Sequence, residues 1–177
     1  YLAHKALPSS PVYSKIITVF PTLVFGGDET HPYSHITSGV VPTLKYAKWL
    51  RFFSVEAGFH FLHSKDIALV TKYLLLSETK KNEYVLGNKS VTANFTLDTI
   101  CKIFGIKVYF KLPITQWLIK VLAKLFKLEI APWDWHCITH PYMIYDTVSP
   151  SSFGLKTSFP TLDILLEDIK ARTFKGA

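Results

Sequence analysis

Cysteine is scarce. Cys101 and Cys137 are the only two, and neither has a partner at the spacing of a zinc ribbon or a thioredoxin-type motif. Two isolated thiols in 177 residues suit a reducing compartment, so a cytoplasmic location is expected. Long apolar runs are missing as well, since none reaches the roughly 18–20 residues that cross a bilayer. No charged-then-apolar leader opens the chain, which begins at Tyr1 and reads as a piece of a longer protein. Basic residues never cluster five in a row, so the net charge of +7 does not point to nucleic acid as a partner. It suits a solvated surface or an anionic cofactor. The eight glycines include no G-x-G-x-x-G turn, and Gly26-Gly27 is not one. There is no internal repeat and no low-complexity tract.

What is present is a folding composition, 49% apolar and 15% aromatic. The chain is organised around residues 15–28, KIITVFPTLVFGGD. Ile16, Ile17, Val19 and Phe20 form a short apolar, β-branched run that Pro21 closes. Leu23, Val24 and Phe25 form a second run, and Gly26-Gly27-Asp28 a turn. Such a run predicts a strand buried on both faces of a parallel sheet. Ligands of open α/β sheets sit just past the carboxyl ends of such strands, which makes residues 21–28 the first candidate site. Upstream, Tyr1 and Lys5 stand four apart, on one face of a predicted helix. A neighbouring ammonium lowers a phenol's pKa, and a phenol so tuned can exchange a proton with a carbonyl or hydroxyl.

Downstream, the pattern predicts a helix over 41–53, with Pro42 in its first turn and Leu44, Ala47 and Leu50 inward. A strand over 59–63 follows, then a helix capped by Ser64, with Asp66 near its start. Ile67, Val70, Thr71, Leu74 and Leu75 are its predicted buried face. Residues 83–88 read as strand and turn. Residues 90–105 read as a helix capped by Thr92 or Thr96 and closed by Gly105 at C′. A strand is predicted over 107–111. In the amphipathic run 114–128, Trp117, Leu118, Val121, Leu122, Leu125 and Phe126 share one side and Lys120, Lys124 and Lys127 the other. That predicts a core helix with a wet lysine face, or, as the alternative, peripheral membrane contact. Residues 131–146 read as an irregular aromatic packing segment or substrate wall. A last helix over 160–169 has Thr161 as cap and Leu162, Leu165, Leu166 and Ile169 inside.

No metal site is expected. Pro32 interrupts His31-x-x-x-His35, Pro141 follows His136-x-x-x-His140 directly, and His60 and His63 on a strand face opposite ways.

A Y-x-x-x-K helix leading to a strand that closes in Pro21-Thr22-Leu23-Val24-Phe25-Gly26 resembles the extended short-chain dehydrogenase/reductase family. That family includes NAD-dependent epimerases, dehydratases and 3β-hydroxysteroid-dehydrogenase-like reductases. Leu62-His63-Ser64 followed by Lys65-Asp66-Ile67-Ala68 is similar to its Val-His-Val, Asp-Asp-Val-Ala block, with Lys65 for the first acid. EYVLGN at 83–88 is similar to its Y-x-L-G turn, and SPSSFGL at 149–155 to its C-terminal stretch. Two departures stand out: Pro8 and Pro11 shorten the link between Lys5 and the strand, and Phe20 replaces a common arginine.

The resemblance covers only the family's C-terminal half. It implies an α/β fold, the C-terminal part of a Rossmann-type parallel sheet plus a small α/β substrate-binding domain. Residues 1–28 would end the dinucleotide-binding domain and 29–177 would be mainly substrate-binding, with 59–76 returning to the Rossmann sheet. About 120–150 further residues would precede Tyr1 and carry the glycine-rich turn. The implied activity is hydride transfer with NAD or NADP on a small-molecule substrate, a sugar nucleotide or an alcohol or ketone. Tyr1 and Lys5 would be the catalytic pair. Lys5, Pro21, Thr22, Leu23 and Val24 would contact the cofactor, and Phe25 and His63 the substrate. The aromatic set Trp117, Trp133, Trp135, Tyr142 and Tyr145 leans towards an apolar substrate. The rival expectation is a non-catalytic binding or membrane-associated scaffold on the same fold.

Overall fold

The computed structural model describes residues 2–27, 47–79, 81–125 and 129–173. In chain order the elements are α1 (Leu2–Ala6), β1 (Thr18–Pro21), β2 (Leu23–Phe25), β3 (Phe53–Ser54), β4 (Gly58–Phe59), β5 (Phe61–His63) and α2 (Ser64–Leu76). They continue with β6 (Glu83–Leu86), β7 (Val91–Thr92), α3 (Ala93–Ile103), β8 (Leu112–Pro113), α4 (Gln116–Leu125), α5 (Pro132–Thr139) and α6 (Leu162–Thr173). The fold is α/β. Among the described residues the strands form three parallel pairs and one antiparallel pair.

The apolar run at Ile16 becomes β1, parallel to β6 from Thr18↔Glu83 to Pro21↔Leu86. Proline has no N–H to continue a ladder, and the chain changes partner there. β2 runs parallel to β5, matching Leu23 to Phe61, Val24 to Leu62 and Phe25 to His63. Burial of the run is incomplete: Phe20 and Leu23 are each 38% exposed, where both faces were expected to be covered.

β5 divides the core, because consecutive strand residues face opposite ways. Phe61 joins Phe25, Ala47, Ile100 and the α6 residues Leu162, Leu165, Leu166 and Ile169. Leu62 joins Val70 and Leu74 of α2 and Leu86 of β6. Each large side chain in these clusters contributes about 1.5–3 kcal/mol by leaving water. The α6 leucines and Ile169 are buried as their spacing predicts.

Several local expectations need correction. His63, not Ser64, caps α2, because its imidazole Nδ1 accepts from the Lys65 N–H at 3.1 Å. Leu75 is exposed, while Val70 and Leu74 carry the buried face. The strand expected over 59–63 is interrupted at His60 and forms β4 and β5. No strand forms over 107–111; only β8 finds a ladder, parallel to β3. A short alternating run without a partner strand has nothing to hold it extended. Within 131–146, read as irregular, Pro132 starts α5, since proline is well suited to a first helical turn. Of the helix expected over 41–53, residues 47–50 are helical and 53–54 are β3, while 41–46 lie outside the described residues. The prolines between Lys5 and β1 leave only two 3₁₀ turns, Leu7–Ser9 and Tyr13–Lys15. At α3 the end signals hold. Thr92 Oγ1 accepts from the Phe95 N–H at 3.1 Å to start α3, and Gly105 (φ 66°) stands at C′. No helix among the described residues is long and apolar enough to cross a membrane.

Candidate functional site

The carboxyl end of β1 opens on a cavity of about 430 Å³. Phe20, Pro21, Thr22 and Leu23 form one side of it. Val85, the register partner of Phe20, continues that side, and Phe59, His60, Met143 and Tyr145 form the other. Thr22 is fixed by its backbone N–H and its hydroxyl, both donating to the Leu86 carbonyl, at 3.0 and 2.9 Å.

Residues 141–148 run across this end as a strap. At one end Gly58 N–H donates to the Pro141 carbonyl (3.0 Å) and Met143 N–H to the Gly58 carbonyl (2.8 Å). At the other, Gly87 N–H donates to the Val148 carbonyl (3.0 Å) and Val148 N–H to the Val85 carbonyl (2.9 Å). His60, 5% exposed, pins the middle. Its Nε2 accepts from the Tyr145 N–H at 3.0 Å, so Nδ1 carries the hydrogen and donates to the Asn88 carbonyl at 2.7 Å. Gly87 permits this approach. A Cβ there would lie 2.9 Å from Thr22 Oγ1, 3.0 Å from His60 Cβ and 3.1 Å from Thr147 Cγ2. With both His60 nitrogens committed to backbone, the cavity presents mainly carbon, which suits a flat or apolar group.

Pro21, Thr22 and Leu23 of the expected cofactor-contact set therefore border the cavity, and Val24, half-buried opposite Leu62, does not. Lys5 lies on α1. Its neighbour His4 sets its ring edge-to-face on Phe20, 5.1 Å between centroids, and bonds Glu83 Oε1 through Nε2 at 2.9 Å. Tyr1 lies outside the described residues, as do His31 and His35. Phe25 and His63 are side by side in the β2–β5 register but buried, at 5% and 1% exposure, and border the core. His136 and His140 stack on each other, 4.3 Å between centroids. Among the described residues no three His, Cys, Asp or Glu side chains converge as a metal site would require. In the sequence His60 belongs to no motif beyond a His60-x-x-His63 pair whose members face opposite ways. The signal was there, a polar residue inside the apolar run F-H-F-L-H.

His63 is buried against Phe159, 4.3 Å between ring centroids, and its Nε2 has no hydrogen-bond partner. Burial first, then the Lys65 and Arg172 charges, hold its pKa below the ordinary 6.5. The unfolded chain therefore takes up a proton near pH 6.5 while the folded chain waits for a lower pH. Stability from this group is complete above about pH 6.5 and is lost as pH falls, at up to about 1.4 kcal/mol per pH unit. His63→Asn keeps a capping side chain without the titration. Its denaturant midpoint should fall less steeply than wild type below pH 6.5, and parallel pH profiles would contradict this.

Two other side chains among the described residues, Tyr142 and Cys101, are pushed towards their neutral forms. Tyr142 donates to Glu56 Oε2 at 2.8 Å, and that bond raises its phenol pKa. Burial, with Asp98 adding to it, pushes the Cys101 thiol up.

No family model matches this chain, and no curated protein does. Solved structures do match its fold. The protein gox2253 is 18% identical, with 97% of this chain and 53% of that one covered at a TM-score of 0.62. PA4631, a nucleoside-diphosphate-sugar epimerase from Pseudomonas aeruginosa, is 13% identical over 99% of this chain and 53% of its own, at 0.60. The Bordetella bronchiseptica enzyme WbmG, solved with NAD and UDP, is 13% identical over 89% and 44%, at 0.54. This chain thus spans about half the length of the chains it matches. At these identities the likeness is one of fold: an α/β chain built like half of a Rossmann-like epimerase.

Proposed function

We propose that this chain is the substrate-side half of a nicotinamide-dependent oxidoreductase or epimerase of the extended short-chain dehydrogenase type. Its substrate would be a sugar nucleotide or an alcohol or ketone. What carries this is the apolar cavity at the carboxyl end of β1, where strands change partner at Pro21 and where open α/β sheets bind ligands. The fold shared with a nucleotide-sugar epimerase and with an enzyme solved with NAD and UDP supports it.

The residues present suit the nicotinamide end of NAD or NADP and not its pyrophosphate. The cavity wall is apolar, and the sequence has no glycine-rich turn. When bound, the cofactor supplies hydride transfer. Pro21, Thr22 and Leu23 would hold the nicotinamide end, with Val24 behind them. Tyr1 would move the substrate proton, and Lys5 would lower the phenol pKa and steady the ribose. Phe25 and His63 would support the substrate side from beneath.

The test is cofactor-dependent turnover in a protein that joins this chain to a Rossmann half. Tyr1→Phe should lower turnover by about 10²–10⁴-fold while cofactor binding persists. Unchanged turnover would overturn the assignment. It would favour a non-catalytic scaffold on the same fold, a reading that the two 3₁₀ turns in place of a longer helix after Lys5 already support.

A further inference from the structure

We propose that α4 and the chain leading into it form a docking surface for an anionic lipid bilayer. On α4, Trp117 is 71% exposed, Val121 39% and Leu125 70%. At i, i+4 and i+8 these form one row along the helix. Periodicity alone predicts that row to face a core, and the structure turns it outward, with half-buried Leu118 at its edge and half-buried Ile119 and Ala123 on the opposite arc. Lys120 and Lys124, both exposed, adjoin the row, and the Lys120 ammonium lies 4.8 Å from the Trp135 ring centroid. Just upstream, Tyr109, Phe110 and Leu112 are exposed by 73%, 57% and 55%.

The charge of this stretch selects the occupant. Residues 104–128 contain five lysines (107, 111, 120, 124 and 127) and no Asp or Glu. Of these, Lys111 is paired with Asp98 at 2.6 Å. A second copy docking by two-fold symmetry would set this lysine-rich stretch against itself, which like-charge repulsion opposes. An anionic bilayer matches both properties. Lysine ammonium groups meet its headgroups while their stems and the aromatic rings lie at the headgroup–acyl boundary. The 10 described residues of the helix are too few to cross, so it would lie in the interface plane. This contact is independent of the cofactor chemistry proposed above.

The experiment is flotation of the chain with phosphatidylcholine vesicles, with and without phosphatidylserine. Phosphatidylserine should strengthen binding at least about tenfold. Lys120→Gln with Lys124→Gln should weaken it by about 25-fold, roughly fivefold per charge. Trp117→Ser with Leu125→Ser should bring it to background without shifting thermal unfolding. Should that apolar pair lower the melting temperature, the exposed lysine pair decides the matter. Three outcomes overturn the proposal: no flotation, equal flotation on both vesicles, or flotation unchanged in the lysine variant. A dimer abolished by Trp117→Ser does so too, as does tight capture by an acidic protein in place of lipid.

Discussion

Replacing Asp66 with alanine is expected to cost about 3–5 kcal/mol, a large share of the stability of a typical domain. The Asp66 side chain is fully buried near the start of α2. One carboxylate oxygen accepts from the Ser158 N–H at 2.8 Å, and the other faces the Phe159 N–H at 3.5 Å. It therefore ties the first turn of α2 to the segment that leads into α6. Its negative charge also complements the helix N-terminus. Alanine would leave buried N–H groups without an acceptor and a small void beside them. Asparagine keeps one acceptor without the charge and should cost about half as much. Urea denaturation of the three proteins measures this. An alanine variant within about 1 kcal/mol of wild type would show that the tie does not stabilise the fold.

His60→Phe should cost about 2–4 kcal/mol, although it keeps an aromatic ring of similar size in place. The loss comes from the buried Asn88 carbonyl and the Tyr145 N–H, which imidazole alone satisfies together. The anchors at Gly58 and Gly87 do not involve the ring, so the strap should loosen from its middle. Amide exchange at Tyr145 should accelerate far more than at Gly58 or Gly87. Uniform acceleration across 141–148 would mean that the ring does not pin the strap.

The parts of this molecule that were legible beforehand are those encoded in neighbouring residues. The β-branched run before Pro21 and the Gly105 terminus follow from local geometry, and the cap of α3 falls on Thr92, one of the two threonines its residues offer. The His60 clamp was not legible. It joins a side chain to a backbone N–H 85 residues away, and such a bond leaves no periodic trace. Periodicity likewise told which α4 residues share a face but not which face meets the core, and Trp117, Val121 and Leu125 turned out exposed. For the candidate site, the family resemblance implies that Phe25 and His63 contact the substrate. The structure buries both, at 5% and 1% exposure, and neither lines the cavity, a matter of tertiary packing that neighbouring residues do not encode.

The most direct test of the site is a set of nuclear Overhauser contacts from the nicotinamide ring of bound NAD or NADP, in a protein that joins this chain to a Rossmann half. Contacts from the ring protons to the side chains of Pro21, Thr22 and Leu23 are the expected result. Ring contacts only to residues away from that strand end, such as Lys89, Thr92 and Thr161 in the cavity where α3 and α6 begin, would contradict the assignment.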